Sequence, residues 1–155
     1  MWGHSLNLML ACLLALVGTP SAYSQNSELA SVDATLTRFH GAAAASEWDS
    51  YFRLLSDDAI FLGTDATERW TKTEFEQYAR KTNGWTYTTT ERHINFTPDG
   101  NSAWFDELLW NNSYGLCRGT GVVINTDKGW LISQYHLTVP IPNEVFDQVL
   151  PIIKN

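Results

Sequence analysis

Residues 103–139, AWFDELLWNNSYGLCRGTGVVINTDKGWLISQYHLTV, decide the fold of this chain. They are typical of three consecutive antiparallel strands separated by turn-forming residues, and both faces of the strands are largely apolar. A sheet that is apolar on both faces must be covered on both. Polar groups nevertheless interrupt the pattern, and burying a charge is costly unless it is paired. We therefore expect either a structural ion pair or a pocket here; the groups are Asp106, Glu107, Arg118, Tyr135 and His136.

The N-terminal segment is distinct from the rest of the chain. Residues 6–17 form an apolar run too short to span a bilayer, and the small residues Ala22 and Ser24 follow it. We predict a signal peptide over residues 1–24, with cleavage after Ala22 or Ser24, and one folded domain over residues 25–155. A buried N-terminal helix is the alternative interpretation. A signal peptide implies export to the periplasm or the medium, with no membrane association after cleavage.

Composition excludes several classes of partner. Residues 1–24 contain no Asp, Glu, Lys or Arg, so the formal charge of -7 belongs to the remaining domain. Nucleic acid and anionic membranes are therefore not expected to bind. Cys117 is the only cysteine after residue 24, so no intramolecular disulfide is expected. The histidines lack the paired spacing of metal ligands, and we expect neither a metal site nor a cofactor.

The predicted elements run from helices to sheet. Leu29, Val32, Leu36, Phe39 and Ala43 recur at helical spacing within residues 28–45. A second helix, capped by Ser46, is predicted to bury Trp48, Tyr51, Phe52 and Leu55, and a strand follows at 59–62. The Thr71–Glu74 capping box begins a third helix, whose apolar stripe is Phe75, Tyr78 and Ala79. A β-prone segment at 85–96 precedes the strands above, and a last short helix begins at Pro142 and is limited by Pro151.

Pairing the strands across their turns predicts which side chains share a face. With turn centres at 99–100, 113–114 and 127–128, one row holds Arg92, Glu107, Thr120 and Tyr135, and the next holds Thr90, Leu109, Arg118 and Leu137. The opposite face then carries Trp104, Asp106, Trp110, Cys117, Trp130, Gln134 and His136, with His93 beside Asp106. A β-bulge would shift this register.

Two interpretations of the charged row stay open. Arg92, Glu107 and Arg118 could form a structural ion-pair network, or they could contact a ligand, since a desolvated charge needs partners in either case. The excess of one positive charge favours an acidic or oxygen-rich ligand.

On the other face, His136 and Asp106 could act as a general acid or base and its orienting group, and Glu107 could act as a base. A histidine satisfied within an interface is the alternative for His136. His40 on the first helix could reach a cavity, although a position at its rim is the default.

Several strings resemble one family. The order helix, helix, SDDAIFLG strand, helix and a meander ending in KGWLISQYHLTVPIP resembles the SnoaL-like branch of the nuclear transport factor 2-like superfamily, and FLGTDATERW and WFDELLW resemble one exported bacterial subgroup. The resemblance implies an α+β fold in which a cone-shaped, curved antiparallel sheet wraps around N-terminal helices and encloses a cavity. It also implies frequent dimerisation through the outer sheet face. Members include isomerases, dehydratases, cyclases and binding modules, so the fold alone does not identify the function.

The resemblance argues against steroid-isomerase chemistry. Aligning Asp57-Asp58-Ala59 with the family pattern places the general base at Gly63 and the oxyanion-stabilising tyrosine at Phe39. Neither of these residues can transfer a proton. Asp65 is two residues further on, and an Asp in such a segment is more typical of a turn. Whether the protein is an enzyme therefore stays open.

Three functional hypotheses follow. The first is an exported, dimeric module that binds a small amphipathic, aromatic or cyclic molecule in an apolar cavity with a few polar groups. The second is a cofactor-independent lyase or isomerase. The third is a non-catalytic interaction module. The homodimer would form through a face bearing Trp104, Trp110 and Trp130. The candidate ligand-binding residues are Arg92, Glu107, Arg118, Tyr135, Trp70 and His40.

Overall fold

The computed structural model describes residues 22–154, so most of the predicted signal peptide lies outside the described residues. The elements are α1 (Ala22–Ala44), α2 (Trp48–Arg53), β1 (Leu55–Leu62), β2 (Arg69–Thr71), α3 (Lys72–Ala79), β3 (Thr88–Phe96), β4 (Ser102–Asn111), β5 (Gly115–Thr126), β6 (Gly129–Thr138), a 3-10 turn (Asn143–Val145) and α4 (Phe146–Ile153). The predicted α+β class is confirmed. Within residues 22–154, no helix is long and apolar enough to cross a membrane.

The N-terminal helices follow the apolar spacing of the sequence. In α1, Val32, Leu36, Phe39 and Ala43 are buried, whereas Leu29 is exposed. In α2, the predicted inward residues Trp48, Tyr51 and Phe52 are buried.

The boundaries around α2 differ from the prediction. Ser46 does not cap the helix, because it adopts a left-handed φ of 57° and Glu47 occupies the N-cap position. Leu55 is buried, but it begins β1 rather than continuing α2. The chain therefore leaves the helix earlier than the apolar spacing indicates.

Capping chemistry fixes the start of α3, but a proline does not fix the end of α4. The Thr71 side chain accepts from the Glu74 backbone N–H and the Glu74 carboxylate accepts from the Thr71 N–H, so the predicted capping box is confirmed. Tyr78 in this helix is exposed, unlike Phe75 and Ala79. Pro151 was expected to limit α4, yet the helix continues to Ile153, with the Lys154 N–H donating to the Leu150 carbonyl.

The strands form one open, curved six-stranded sheet in the order β2-β1-β6-β5-β4-β3. The pair β1 and β6 is parallel, and the other pairs are antiparallel. Helices α1 and α3 pack on one face, which we call the inner face; α1 contacts β3 and β6, and α3 contacts β1 and β2. Inner-face side chains complete the core, among them Phe105, Leu109, Val123, Ile132 and Tyr135. The opposite face is called the outer face below.

The β4–β5 register differs by one residue from the prediction. Glu107 pairs with Gly119 rather than Thr120. The loop holds three residues instead of two, because Gly115 takes a positive φ of 74° and the Asn111 side-chain oxygen accepts from the Ser113 and Tyr114 N–H groups. Since side chains alternate along a strand, this slip reverses every β5 side chain.

A β-bulge at Ser133 makes a second shift, in β6. Ile132 pairs with Val123, but Gln134 pairs with Val122. Even-numbered residues before the bulge and odd-numbered residues after it therefore face inward, so Ile132 and Tyr135 are both buried.

The one-residue slip of β5 also corrects the predicted tryptophan face. Trp104 and Trp110 lie on the outer face and are about half exposed, at 50% and 52%. Trp130 precedes the bulge, lies on the inner face, and is buried, with its indole N–H donating to the Glu28 carboxylate at 2.7 Å. The prediction that all three tryptophans share one face was wrong at Trp130.

Candidate functional site

A single carboxylate organises the polar part of the interior. Glu107 points inward from β4 and is 0% exposed. Its Oε1 accepts from His40 Nε2 at 2.6 Å and from the Tyr135 hydroxyl at 3.1 Å. Its Oε2 accepts from Arg92 Nε at 2.8 Å. Helix α1 and strands β3, β4 and β6 thus converge on one buried group.

The partners keep this carboxylate ionised. Burial alone raises the pKa of Glu107, because it penalises the charged form. The hydrogen bond and charge of His40 and the charge of Arg92 outweigh burial, so the pKa of Glu107 lies below its ordinary value. A buried anion is thus available to hold and orient its neighbours.

The ionised carboxylate fixes the tautomer of His40. A carboxylate only accepts hydrogen bonds, so the imidazole proton at this contact must be on Nε2. Among residues 22–154, no protein group hydrogen-bonds to His40 Nδ1. In the neutral ring, Nδ1 therefore carries the lone pair that can accept a proton.

Gly119 makes this arrangement possible. It pairs directly with Glu107, and a Cβ at this position would lie 2.3 Å from the Tyr135 hydroxyl and 2.9 Å from Glu107 Oε1. Any larger residue would displace one of the two. The glycine is thus required because the Tyr135 hydroxyl crosses over the β5 backbone to reach Glu107.

Arg92 is committed to structural contacts. Beyond Glu107, its guanidinium donates to the Asp33 carboxylate at 2.7 Å, to the Asp33 carbonyl at 3.2 Å, and to the Thr37 and Thr89 hydroxyls at 3.1 and 3.2 Å. These contacts fasten α1 to β3. We therefore interpret Arg92 as an anchor, in line with the ion-pair alternative.

Three phenols surround this cluster. Tyr51 is fully buried, and its hydroxyl has no hydrogen-bond partner. Burial, and then the neighbouring Tyr87, raises the pKa of Tyr51 well above its ordinary value. Burial and then Glu107 do the same for the pKa of Tyr135. Burial followed by Cys117 raises the pKa of Tyr87 to about 12. All three phenols stay protonated at neutral pH and can donate hydrogen bonds.

Aromatic rings form the walls of the cluster. The His40 ring centroid lies 5.5 Å from Phe39, 6.0 Å from Tyr135 and 6.5 Å from Tyr87. Tyr51 stacks on Phe39 with centroids 4.3 Å apart. Tyr87 is only partly buried, so the interior approaches solvent beside this residue. The arrangement combines apolar walls with a few convergent polar groups, which is typical of small-molecule sites.

Comparison with known proteins agrees with this architecture. A family model for the SnoaL-like domain matches residues 32–142. The chain belongs to the SnoaL-like family. No curated protein shows significant similarity to it.

Solved structures resemble this SnoaL-like domain in fold. An NTF2-like protein of unknown function from Pseudomonas putida KT2440 is 13% identical with a TM-score of 0.63, covering 79% of this chain and 92% of its own. A proposed dehydratase of the NTF2-like family from Streptomyces avermitilis is 14% identical with a TM-score of 0.64, covering 76% and 99%. A proposed scytalone dehydratase from Novosphingobium aromaticivorans DSM 12444 is 9% identical with a TM-score of 0.65, covering 76% and 87%. At these identities the likeness shows the fold alone.

The SnoaL-like domain brings four of the six candidate ligand-binding residues together, namely His40, Arg92, Glu107 and Tyr135. Trp70 lies apart on β2, stacked with Phe75 at 5.4 Å and Tyr78 at 5.2 Å.

Arg118 is not part of this cluster. It is exposed on the outer face, opposite Leu108, because of the one-residue slip in β5. The predicted triad of Arg92, Glu107 and Arg118 is therefore wrong, and His40 takes the second place beside Glu107. The helical spacing already contained this signal, since His40 is four residues after the buried Leu36.

The predicted histidine–carboxylate pair on the outer face is not formed. Asp106 pairs with Thr120, and Thr120 pairs with His136, so a whole strand separates the two groups by roughly 10 Å. His93 does pair with Asp106 in the register, but its ring contacts Glu91 at 2.7 Å. The buried histidine–carboxylate pair among the described residues is His40 with Glu107.

Sequence reasoning missed the roles of two phenols. Tyr51 was predicted to face inward, but only as an apolar residue, and nothing in the sequence marked its hydroxyl as unpartnered. No sequence pattern marked Tyr87 as a site residue, because it lies in an irregular segment before β3.

Two other findings concern polar side chains. Asp65 is exposed and accepts from the Thr67 N–H at 2.8 Å, as expected for a turn residue. Among residues 22–154, no group of three or more His, Cys, Asp or Glu is placed to hold a metal ion.

Proposed function

We propose that this SnoaL-like domain binds a small, aromatic or cyclic, amphipathic molecule in the interior beside His40, Tyr51 and Tyr87. The observation that carries the proposal is the hydroxyl of Tyr51, which is fully buried and unpartnered. Leaving such a donor unpaired costs about 1–3 kcal/mol, so buried hydroxyls are rarely left alone. An oxygen of a bound molecule would satisfy it.

The surroundings define the ligand chemistry. Phe39, Tyr51 and Tyr135 pack ring against ring beside His40, and such aromatic surroundings favour an aromatic or cyclic body. The protonated phenols of Tyr51 and Tyr87 are donors, so the ligand should present acceptors such as a carbonyl or ether oxygen. The half-buried Tyr87 is the proposed entrance, where its side chain would turn aside as the ligand enters.

A pair of tyrosine variants tests this proposal. The ligand is first identified by native mass spectrometry of the purified protein, and its affinity is measured by calorimetry. Tyr51→Phe removes an unpartnered hydroxyl, so it should leave the ligand-free protein as stable as wild type, or up to about 1 kcal/mol more stable. It should weaken ligand binding about tenfold, as expected for the loss of one hydrogen bond.

Tyr135→Phe is the matched control. Its hydroxyl donates to the buried Glu107, so its loss should destabilise the free protein by roughly 1–3 kcal/mol. If Tyr51→Phe also destabilises the free protein and leaves ligand affinity unchanged, the Tyr51 hydroxyl has a structural role and the proposed site is wrong.

A second candidate function, a cofactor-independent lyase or isomerase, is favoured by the geometry of His40. Glu107 orients the ring through Nε2, and Nδ1 has no partner within residues 22–154. Such a ring could remove a proton from the carbon next to a carbonyl. In a lyase, the C–O bond at the next carbon would then break, and the hydroxyl would depart as water after accepting a proton. Two of the similar solved structures are described as proposed dehydratases, which favours loss of water within this reaction class.

The enzyme hypothesis is tested with a panel of cyclic hydroxy ketones. Loss of water or movement of a double bond would be followed by mass spectrometry and ultraviolet absorbance. His40→Gln should abolish turnover, whereas the outer-face variant His136→Gln should leave it unchanged. Equal activity of both variants would rule out His40 as the base.

Export is a further part of the proposed function. The support is the apolar run at residues 6–17 followed by small residues. Intact-mass measurement of protein recovered from the periplasm or medium should show cleavage after Ala22 or Ser24. A product that retains residues 6–17 would contradict export by this route.

A further inference from the structure

A second candidate site lies on the surface, between α1, α2 and the β5–β6 hairpin. A cleft with a volume of about 670 Å³ opens there. A neighbouring cleft of about 450 Å³ shares Arg38, Arg53 and Leu54 with it. The two clefts therefore meet at this pair of arginines.

The cleft is basic although the protein is acidic. Arg38, Arg53, Lys72 and Lys128 line it, in a chain with 10 Lys and Arg residues and a formal charge of -7. The lining carboxylates are Asp57 and Asp127, and Glu47 lines the neighbouring cleft.

Most of the positive charge in the cleft is not neutralised by direct pairing. Lys72 is occupied, because its ammonium contacts Asp57 at 3.1 Å and the Leu55 carbonyl at 3.0 Å. Unlike Lys72, the two arginines contact neutral hydroxyl groups. Arg38 donates to the Thr35 hydroxyl at 3.2 Å, and Arg53 donates to the Ser50 hydroxyl at 3.1 Å.

Neither arginine pairs with a carboxylate among the described residues. Two guanidiniums at the junction of two clefts suit the planar, two-oxygen geometry of an oxyanion.

Apolar residues complete the cleft. Leu54 and the buried Trp130 line it beside the arginines. The indole N–H of Trp130 is occupied by Glu28, so the ring offers mainly apolar surface. An inorganic ion would use only the arginines, whereas an anion on an apolar body would use both halves of the cleft.

We propose that this cleft binds organic anions, namely a carboxylate, sulfonate or phosphate carried on an aromatic or apolar body. Arg38 and Arg53 hold the anionic group, and Leu54 and Trp130 contact the body. The site is separate from the proposed interior site, because Arg38 and His40 are about 200° apart around α1.

The experiment compares two probes that differ in charge. 2-Naphthoate carries the carboxylate, and 2-naphthamide has the same rings without charge. Each is titrated into ¹⁵N-labelled protein, and the indole N–H signal of Trp130, assigned with Trp130→Phe, is followed. We expect 2-naphthoate to shift this signal and to bind at least tenfold more tightly than 2-naphthamide. Raising the salt concentration should weaken the binding of 2-naphthoate.

Variants separate this site from the rest of the molecule. Arg38→Gln with Arg53→Gln should weaken 2-naphthoate binding at least tenfold, and each single change about threefold. Arg118→Gln removes the same charge from the outer face and should leave 2-naphthoate binding unchanged.

Three outcomes would overturn the proposal: no binding of 2-naphthoate to the wild type below about 10 mM, equal binding of both probes, or unchanged binding in a folded double variant. If the double variant fails to fold, the single variants decide.

Discussion

The two faces of strands β4 to β6 treat neighbouring residues in opposite ways. On the inner face, Glu107 is fully buried and has three hydrogen-bond partners, His40, Arg92 and Tyr135. On the outer face, the adjacent Asp106 is only partly buried and makes no ion pair within the described residues. Side-chain alternation alone separates them.

The difference shows which charges the fold depends on. A charge inside the sheet must be paired, because desolvation costs several kcal/mol per ion, and a single missing partner exposes that cost. A charge on the outer face keeps contact with solvent, so its partners matter little. The apolar residues behave differently as well, since Trp104 and Trp110 leave an exposed patch only on the outer face.

The largest predicted effect comes from neutralising the inner carboxylate. Glu107→Gln should lower the free energy of unfolding by about 3–5 kcal/mol, because Arg92 and His40 lose the anion that pairs with them. Asp106→Asn, one residue away on the outer face, should change it by about 0.5 kcal/mol or less. Urea denaturation of both variants measures the difference. Similar losses in the two variants would show that the faces are not distinct.

The second prediction concerns association through the outer face. We propose that Trp104 and Trp110 pack in a homodimer, so light scattering on the purified protein should give twice the monomer mass. Trp104→Glu should weaken dimerisation by roughly 2 kcal/mol or more, as is typical of a central tryptophan in an interface. Gln77→Glu, which adds the same charge on an exposed position of α3, should not. A monomeric wild type at micromolar concentration would contradict the proposal.

The third prediction tests how tightly the inner face is packed. Gly119→Ala places a methyl group 2.3 Å from the Tyr135 hydroxyl, so it should cost about 1–3 kcal/mol of stability. Its neighbour Thr120 lies on the outer face, and Thr120→Ala should cost well under 1 kcal/mol. Thermal unfolding compares the two. If Gly119→Ala is as stable as the wild type, Tyr135 does not reach Glu107.

A smaller effect is expected from pH. The pKa of folded Glu107 lies below its ordinary value, because its bonds to His40 and Arg92 outweigh burial. Its contribution to stability is therefore fully present above the unfolded pKa and is lost as pH falls through the folded pKa. The stability gap between wild type and Glu107→Gln should thus shrink below about pH 4 to 5. A stability gap that widens on acidification would contradict a lowered pKa for Glu107 in the folded protein.

The sequence predicted the turn-proximal part of the first hairpin and the core residues of α1 well, for local reasons. The Asp99-Gly100 turn placed Arg92 opposite Glu107, and helical spacing placed Leu36 and Phe39 in the core. These features depend on residues close together in the chain. Farther from the turn, an irregularity at Thr90 places Thr89, and not the predicted Thr90, opposite Leu109.

The predictions that failed depend on backbone choices that apolar alternation does not encode. Gly115 enlarges the β4–β5 loop by one residue, and Ser133 forms a bulge in β6. The longer loop moved Arg118 to the outer face and Trp130 to the inner face, and the bulge returned Tyr135 to the inner face. Of the candidate site, the sequence predicted the pairing of Arg92 with Glu107. The predicted row through Thr120 and Tyr135 was wrong, because Gly119 pairs with Glu107 and Tyr135 pairs with Gly121. The contact of Glu107 with His40 was not predicted, because it requires the packing of α1 on the sheet.

The most direct measurement is the protonation pattern of the His40 ring, read by long-range ¹H–¹⁵N NMR and assigned with His40→Gln. The account predicts that at neutral pH Nε2 carries a proton held by Glu107, and that this pattern is lost in Glu107→Gln. A His40 ring with an unprotonated Nε2 would contradict the buried histidine–carboxylate pair on which the proposed site rests.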